Sequence, residues 1–143
     1  MKWAVANGWR QDNPAEAIAQ ALPKQDKTQA HRKALPYNLV SEFLDALKES
    51  NAGDATKLAL ELLILTASRS GEVRLAEWSE IDLDQAVWTR PAHRMKAKKE
   101  HRVPLSPRAV ELLLQARKYG SGDGLVFPGT KHGKPLSDMT LSK

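Results

Sequence analysis

The sequence contains no cysteine. That absence removes disulfide scaffolds, zinc–cysteine sites and thiol catalysis together. Tyrosine is nearly missing as well, with Tyr37 and Tyr119 the only two. No apolar run is long enough to span a bilayer, which excludes a membrane-crossing helix. The opening residues Met1-Lys2-Trp3-Ala4-Val5 lack a signal-peptide layout, because polar Asn7 and Arg10 stand where an apolar run would continue. A soluble cytoplasmic protein is the expectation. At 143 residues the chain holds one domain, or one domain plus part of another, and can bury a core without covalent staples.

What is present is an uneven charge. The formal net charge is +5. Between Ala86 and Lys118 stand nine basic residues, Arg90, Arg94, Lys96, Lys98, Lys99, Arg102, Arg108, Arg117 and Lys118, opposed only by Glu100 and Glu111. This stretch carries +7 and the remainder −2. The stretch just before it is acidic, with Glu72, Glu77, Glu80, Asp82 and Asp84 against Arg74. Such asymmetry describes a local basic feature, suited to an acidic partner such as nucleic acid or to a solvated charged hairpin.

Patterning divides the chain. Residues 1–22 read as helical pieces. Trp3, Ala6 and Trp9 are spaced for one face, and Asn13-Pro14 marks a helix start that runs through Ala15–Leu22 to Pro23. Residues 23–35 are polar and aperiodic, as a linker is. Beyond Pro36, Leu39, Val40, Phe43, Leu44 and Leu47 make a helical stripe. Gly53 breaks that helix, and Asp54 is placed to cap the next. Leu58–Leu65 is apolar nearly all round and predicts the buried centre of the domain. A short helix is expected from about Ser70 to Trp78.

The period then changes. Ala86-Val87-Trp88-Thr89 has strand character, while Arg94-Met95 and Arg102-Val103-Pro104-Leu105 flank a turn at 96–100. The fold class expected is mainly α with a small antiparallel sheet of about three strands (α+β). Pro104 places its strand at an edge or at a strand end. Ser106-Pro107 starts a helix with a face at Val110, Leu113, Leu114 and Arg117. Gly120, Gly122 and Gly124 form a loop, Leu125–Pro128 an apolar anchor, and Ser137 a possible cap.

The most informative stretch is Leu65-Thr66-Ala67-Ser68-Arg69-Ser70-Gly71-Glu72, followed by Glu77-Trp78-Ser79-Glu80-Ile81-Asp82, a basic turn with Lys96, and Arg102-Val103-Pro104-Leu105-Ser106. This ordered set resembles the first half of the catalytic domain of tyrosine recombinases, the phage-type integrases of prophages and genomic islands. Trp3–Gly8 and Asn13-Pro14 resemble the last helix of the family's core-binding domain. The resemblance implies a core-binding tail at 1–22, a linker at 23–35 and a truncated catalytic domain at 36–143. In the family a tyrosine attacks a DNA phosphodiester without a metal, so side chains must neutralise the phosphate oxygens. Arginine suits this task through two parallel hydrogen bonds and a permanent charge. By resemblance, Arg69 is the first arginine of that clamp and Glu72 supports it. From spacing alone, an exposed i,i+3 ion pair is the competing reading.

Lys96 matches the family's hairpin lysine, the general acid toward the leaving oxygen, with Lys98 and Lys99 as competitors. Arg94, Lys98, Lys99, Arg102 and His93 are the expected DNA-backbone contacts. His93 and His101 flank the basic turn, where phosphate contact and solvent exposure both remain open; His31 and His132 fall in linker and loop. No histidine spacing makes a metal site, and no cofactor is implied. Trp78 and Trp88 read as packing residues. The family's histidine-x-x-arginine box and nucleophilic tyrosine have no counterpart here, and neither Tyr37 nor Tyr119 stands at the nucleophile's place. The expectation is a fragment that binds double-stranded DNA, does not cleave it alone, and derives from a protein that acts as a tetramer on DNA, away from any membrane. A non-catalytic DNA-binding module and a helical interaction domain are the alternatives.

Overall fold

The computed structural model describes residues 1–22, 34–95, 97–119, 124–131 and 133–141. The chain divides into two units, Met1–Leu35 and Pro36–Lys143. In the first, helix α1 (Lys2–Ala6) ends at Asn7, and Gly8 turns the chain with φ +71°. Trp9 is therefore not on the helix that carries Trp3. It folds back through a bond from its N–H to the Ala4 carbonyl (2.9 Å), which sets the two indoles 6.1 Å apart. Helix α2 (Pro14–Ala21) has Asn13 at its N-cap position and Pro14 in its first turn, but the Asn13 side chain makes no capping bond. Nearly all of the expected linker lies outside the described residues.

The second unit opens with a 3-10 turn (Tyr37–Leu39) and helix α3 (Val40–Glu49). Leu39, Val40, Leu44 and Leu47 are half-buried, while Phe43 is exposed. Helix α4 (Asp54–Thr66) follows, with Gly53 rather than Asp54 at the N-cap position. Asp54 instead sits in the first turn, where its charge complements the helix dipole. Ala59 and Leu62 are fully buried, yet Leu65 is 40% exposed. The apolar run is thus central on one face only, because α4 packs on helices α5 (Ser70–Arg74) and α6 (Pro107–Ala116). The expected helix through Trp78 stops at Arg74, and Trp78–Glu80 forms a separate 3-10 turn.

The sheet has three antiparallel strands in the order β1 (Ile81–Asp82), β2 (Val87–Arg90), β3 (His101–Pro104). Its strand count matches the expectation, but one member differs. Arg94 and Met95 do not pair; Ala92–Arg94 is a 3-10 turn after Pro91, and the third strand is Ile81–Asp82. Pro104 lies on the edge strand β3 and needs no N–H there. Trp88 faces Val103 and Arg90 faces His101 across the β2–β3 ladder.

Ser106 caps α6 by accepting from the Ala109 N–H (3.2 Å), with Pro107 in the first turn. The buried face of α6 is Ala109, Leu112, Leu113 and Ala116, one step round from the expected stripe, and Leu114 is exposed. The two alanines on that face let α6 approach its neighbours closely. Val126 and Phe127 are buried, as the apolar anchor expected. They are tied by Val126 N–H to Ala76 O (2.8 Å) and Trp78 N–H to Gly124 O (2.9 Å). Gly129 donates to Lys134 O (2.7 Å) so closely that a Cβ there would meet Pro135 O at 2.6 Å. The expected cap at Ser137 makes a turn, its hydroxyl 2.7 Å from that of Thr140. The expected glycine loop lies, Gly124 apart, outside the described residues.

Trp88, Phe127, Leu62, Leu112, Leu113, Val73 and Val126 form the fully buried centre. Full burial of an aliphatic or Phe side chain contributes about 1.5–3 kcal/mol, so this cluster seats the helices on the inner face of the sheet. Trp78 and Trp88 are core residues, as expected. No helix among the described residues is long and apolar enough to cross a membrane.

Candidate functional site

The site begins where α4 ends. Ala67 takes the left-handed conformation (φ 48°), and Ser68 N–H reaches back to Leu63 O (3.1 Å). This tight reversal sends the chain straight into α5, with Arg69 at its N-cap position. Glu72 sits in the first turn and one of its oxygens, Oε2, accepts from the Arg69 backbone N–H (3.1 Å). That contact caps α5 from within. The other oxygen, Oε1, accepts from Arg69 Nη1 (2.9 Å). The Arg69 side chain is nonetheless 72% exposed, whereas that of Glu72 is largely buried. A guanidinium is thus held at one edge and open to solvent elsewhere.

Strand β2 supplies the next partner. Arg90 is only 5% exposed. Its Nη1 donates to Glu72 Oε2 (2.5 Å), its Nη2 donates to the Ser68 hydroxyl, and its guanidinium lies 4.2 Å over the Trp88 ring. Arg94 continues the network: it pairs with Glu80 and donates to the Glu72 carbonyl (2.9 Å). Glu80 also accepts from Trp88 Nε1 (3.0 Å). Helix α5, strand β2 and the turn after it are thereby fastened to one residue, Glu72, the first two through its carboxylate and the turn through its backbone carbonyl.

Burial acts to raise the pKa of Glu72, but hydrogen bonds from the Arg69 backbone and side chain, with the charge of Arg90, outweigh it and hold the carboxyl below its ordinary value. Burial likewise pushes Arg90 down, opposed by Glu72 and Glu80. An arginine stays protonated through such a shift. Beside these groups opens a concavity of about 550 Å³, lined by Arg69, Glu72, Arg90, Met95, Ala97 and His101 among others. Three positive or titratable side chains converge there around one acid, an arrangement suited to binding an anion.

The structure brings Arg69 and Glu72 together, as the sequence pattern anticipated. Arg94 is placed inward, between Glu80 and the Glu72 carbonyl, with a largely buried side chain. Lys98, Lys99, Arg102 and His93 are exposed. Arg102 pairs with Thr89 across the ladder, on the sheet face opposite Arg90 and His101. Lys96 lies outside the described residues. Sequence reasoning missed Arg90, which it counted only as one charge in a basic run. The signal was available, since Arg90 stands two residues after Trp88 on one strand and so shares its face. Among the described residues no group of three His, Asp or Glu side chains converges as a metal site would need.

The family model for the phage integrase family matches residues 33–143.

The chain belongs to the phage integrase family, the tyrosine recombinases.

Over 99% of its length it is 37% identical to the integrase of Enterobacteria phage P4, covering 35% of that protein. It is also 37% identical, over 99% of its length, to the prophage integrase IntZ of Escherichia coli K12, again covering 35%. Against the tyrosine recombinase XerC of Chromobacterium violaceum the identity is 30%, with 99% of this chain and 46% of that protein covered. Among solved structures, the integrase from mycobacterium phage Brujita matches with a TM-score of 0.56 and 25% identity, over 97% of this chain and 43% of that one. The chain therefore spans between about a third and a half of the length of such relatives.

Proposed function

We propose that this chain serves DNA integration by site-specific recombination, supplying the side chains that hold and neutralise the scissile phosphate. The observation that carries this reading is Arg69: braced by Glu72, yet mostly exposed at the rim of a cationic concavity. A preorganised donor of this kind contributes about 3–4 kcal/mol to a transition state that gathers charge on phosphate oxygens. Arg69 is the phosphate clamp in this reading, Glu72 its support and Lys96 the general acid toward the leaving oxygen. Lys98, Lys99, Arg102 and His93 contact the DNA backbone. Residues 1–22 are read as the tail of a core-binding domain, 23–35 as a linker and 36–143 as the first part of a catalytic domain. The whole protein is read as a tetramer on double-stranded DNA in the cytoplasm.

Neither Tyr37 nor Tyr119 lines the concavity; Tyr119 bonds Asp54, which raises its pKa. The attacking tyrosine of the reaction is accordingly assigned to a part of the family's catalytic domain that this stretch does not contain. The test is a titration of duplex DNA with the wild-type chain and Arg69→Ala at several salt concentrations. Affinity falling steeply between about 50 and 200 mM salt is expected, with Arg69→Ala weaker at every salt concentration. Absence of duplex binding at the lowest salt concentration would sink the reading.

A further inference from the structure

We propose that Arg90 is a positioning residue of the Arg69 site: by occupying one oxygen of Glu72, it lets Glu72 brace Arg69 without cancelling the charge of Arg69. The proposal rests on the reading of Arg69 as a phosphate clamp. Glu72 divides its carboxylate, giving Oε1 to Arg69 Nη1 and Oε2 to Arg90 Nη1. An isolated Arg69–Glu72 pair carries no net charge, and an arriving phosphate would meet a carboxylate as well as a guanidinium. With Arg90 the cluster carries +1. The next charges out, Arg94 and Glu80, are paired with each other and leave that sum unchanged. His101 opens onto the same concavity.

Arg90 is built in for this role. Besides Glu72 it holds Ser68, whose hydroxyl lies 2.6 Å from that of Thr66, and it stacks on Trp88. Its Nε is buried and has no hydrogen-bond partner among the described residues. Burying a charge is costly, and an apolar side chain of similar size is commonly the more stable choice in such a place. Packing alone therefore does not account for an arginine there, whereas compensation of Glu72 does.

The test follows the Arg69 guanidinium by NMR while inorganic phosphate is added, with duplex DNA as a second probe and thermal melting to report the fold. Arg90→Met is expected to weaken phosphate binding roughly threefold to tenfold, the effect of one nearby charge. Adding Glu72→Gln to Arg90→Met returns the cluster to +1 and restores the wild-type affinity. Glu72→Gln alone raises the cluster to +2 and tightens binding. A purely structural role predicts the reverse, with the double variant weaker than either single one. An Arg69 signal that phosphate moves equally in wild type and Arg90→Met overturns the proposal alone. A wild-type Arg69 signal that neither phosphate nor duplex moves overturns the proposal together with the reading beneath it. Should Arg90→Met fail to fold, Arg90→Gln carries the test, and unchanged phosphate binding in it overturns the proposal.

Discussion

Arg108 closes on Glu61 with two arms of its guanidinium, Nε to Oε1 at 2.8 Å and Nη2 to Oε2 at 3.2 Å. This pair joins α6 to α4, and Glu61 is the more deeply buried partner. Its other neighbour, Glu111, draws on the same arginine at 3.1 Å. Removing the arginine strands a buried carboxylate. Arg108→Ala is expected to lower stability by about 1–2 kcal/mol, the half-exposed side of the pair moderating the loss. Replacing both residues, as Glu61→Leu with Arg108→Met, is expected to recover most of it. Urea titrations of the three variants check this, and a double variant weaker than Arg108→Ala counts against it.

Ser106 is the one N-cap in the second unit whose side chain makes the capping bond among the described helices. Ser106→Ala should cost about 1 kcal/mol, while Ser106→Asp should cost little. Equal loss in the two would show that the hydroxyl does something other than capping.

Ala67 holds a left-handed conformation without being glycine. Ala67→Gly relieves a backbone strain of about 1–2 kcal/mol and loosens the unfolded chain by about 0.4–1 kcal/mol. The net expectation is a gain of about 0–1.6 kcal/mol, read by thermal unfolding. A loss would mean that the Ala67 methyl, which lines the Arg69 concavity, makes contacts worth more than the strain.

Glu72 makes stability depend on acid. Its folded pKa lies below the ordinary 4.5, so the unfolded chain takes up the proton first. The stabilisation is full above the unfolded value and is lost as pH falls through the folded one. The wild-type chain should lose stability as pH is lowered from about 5, and Glu72→Gln should flatten that slope. Superimposable pH profiles of the two proteins would refute the assignment.

Lys98 and Lys99 are exposed in the turn between β2 and β3. If they touch DNA phosphates, Lys98→Ala with Lys99→Ala weakens duplex binding across sequences and reduces the slope of log affinity against log salt by roughly 2. An unchanged slope removes this turn from the DNA-facing surface.

Local chemistry was legible wherever one or two residues decide it. Ser106-Pro107 starts α6 because hydroxyl and ring act at fixed offsets, and Pro104 marks an edge because it lacks an N–H. Arg69 and Glu72 were legible as a pair by the same logic of short spacing. What escaped depended on direction. The α6 stripe was displaced by a step because Leu114 and Val110 are as apolar as Leu112, and only the approach of α4 selects among them. Arg90 and Arg94 turn inward, which a charge tally along the chain does not show. Their destination depends on Glu72 and Glu80, which lie 18 and 14 residues earlier in the chain.

Helix α5 also carries Arg74, which donates to Leu136 O and pairs with Asp138, 62 and 64 residues further along. A ribosome adding roughly 5–20 residues per second makes this helix several seconds before it makes the clasp. Contacts so distant in sequence form late, since a long loop must close first. Helix α5 is therefore complete in the growing chain before the segment that clasps its last turn exists. Until the Leu136–Asp138 stretch emerges, α5 leans only on partners nearer in sequence, among them helix α4 and the Arg90 side chain of β2.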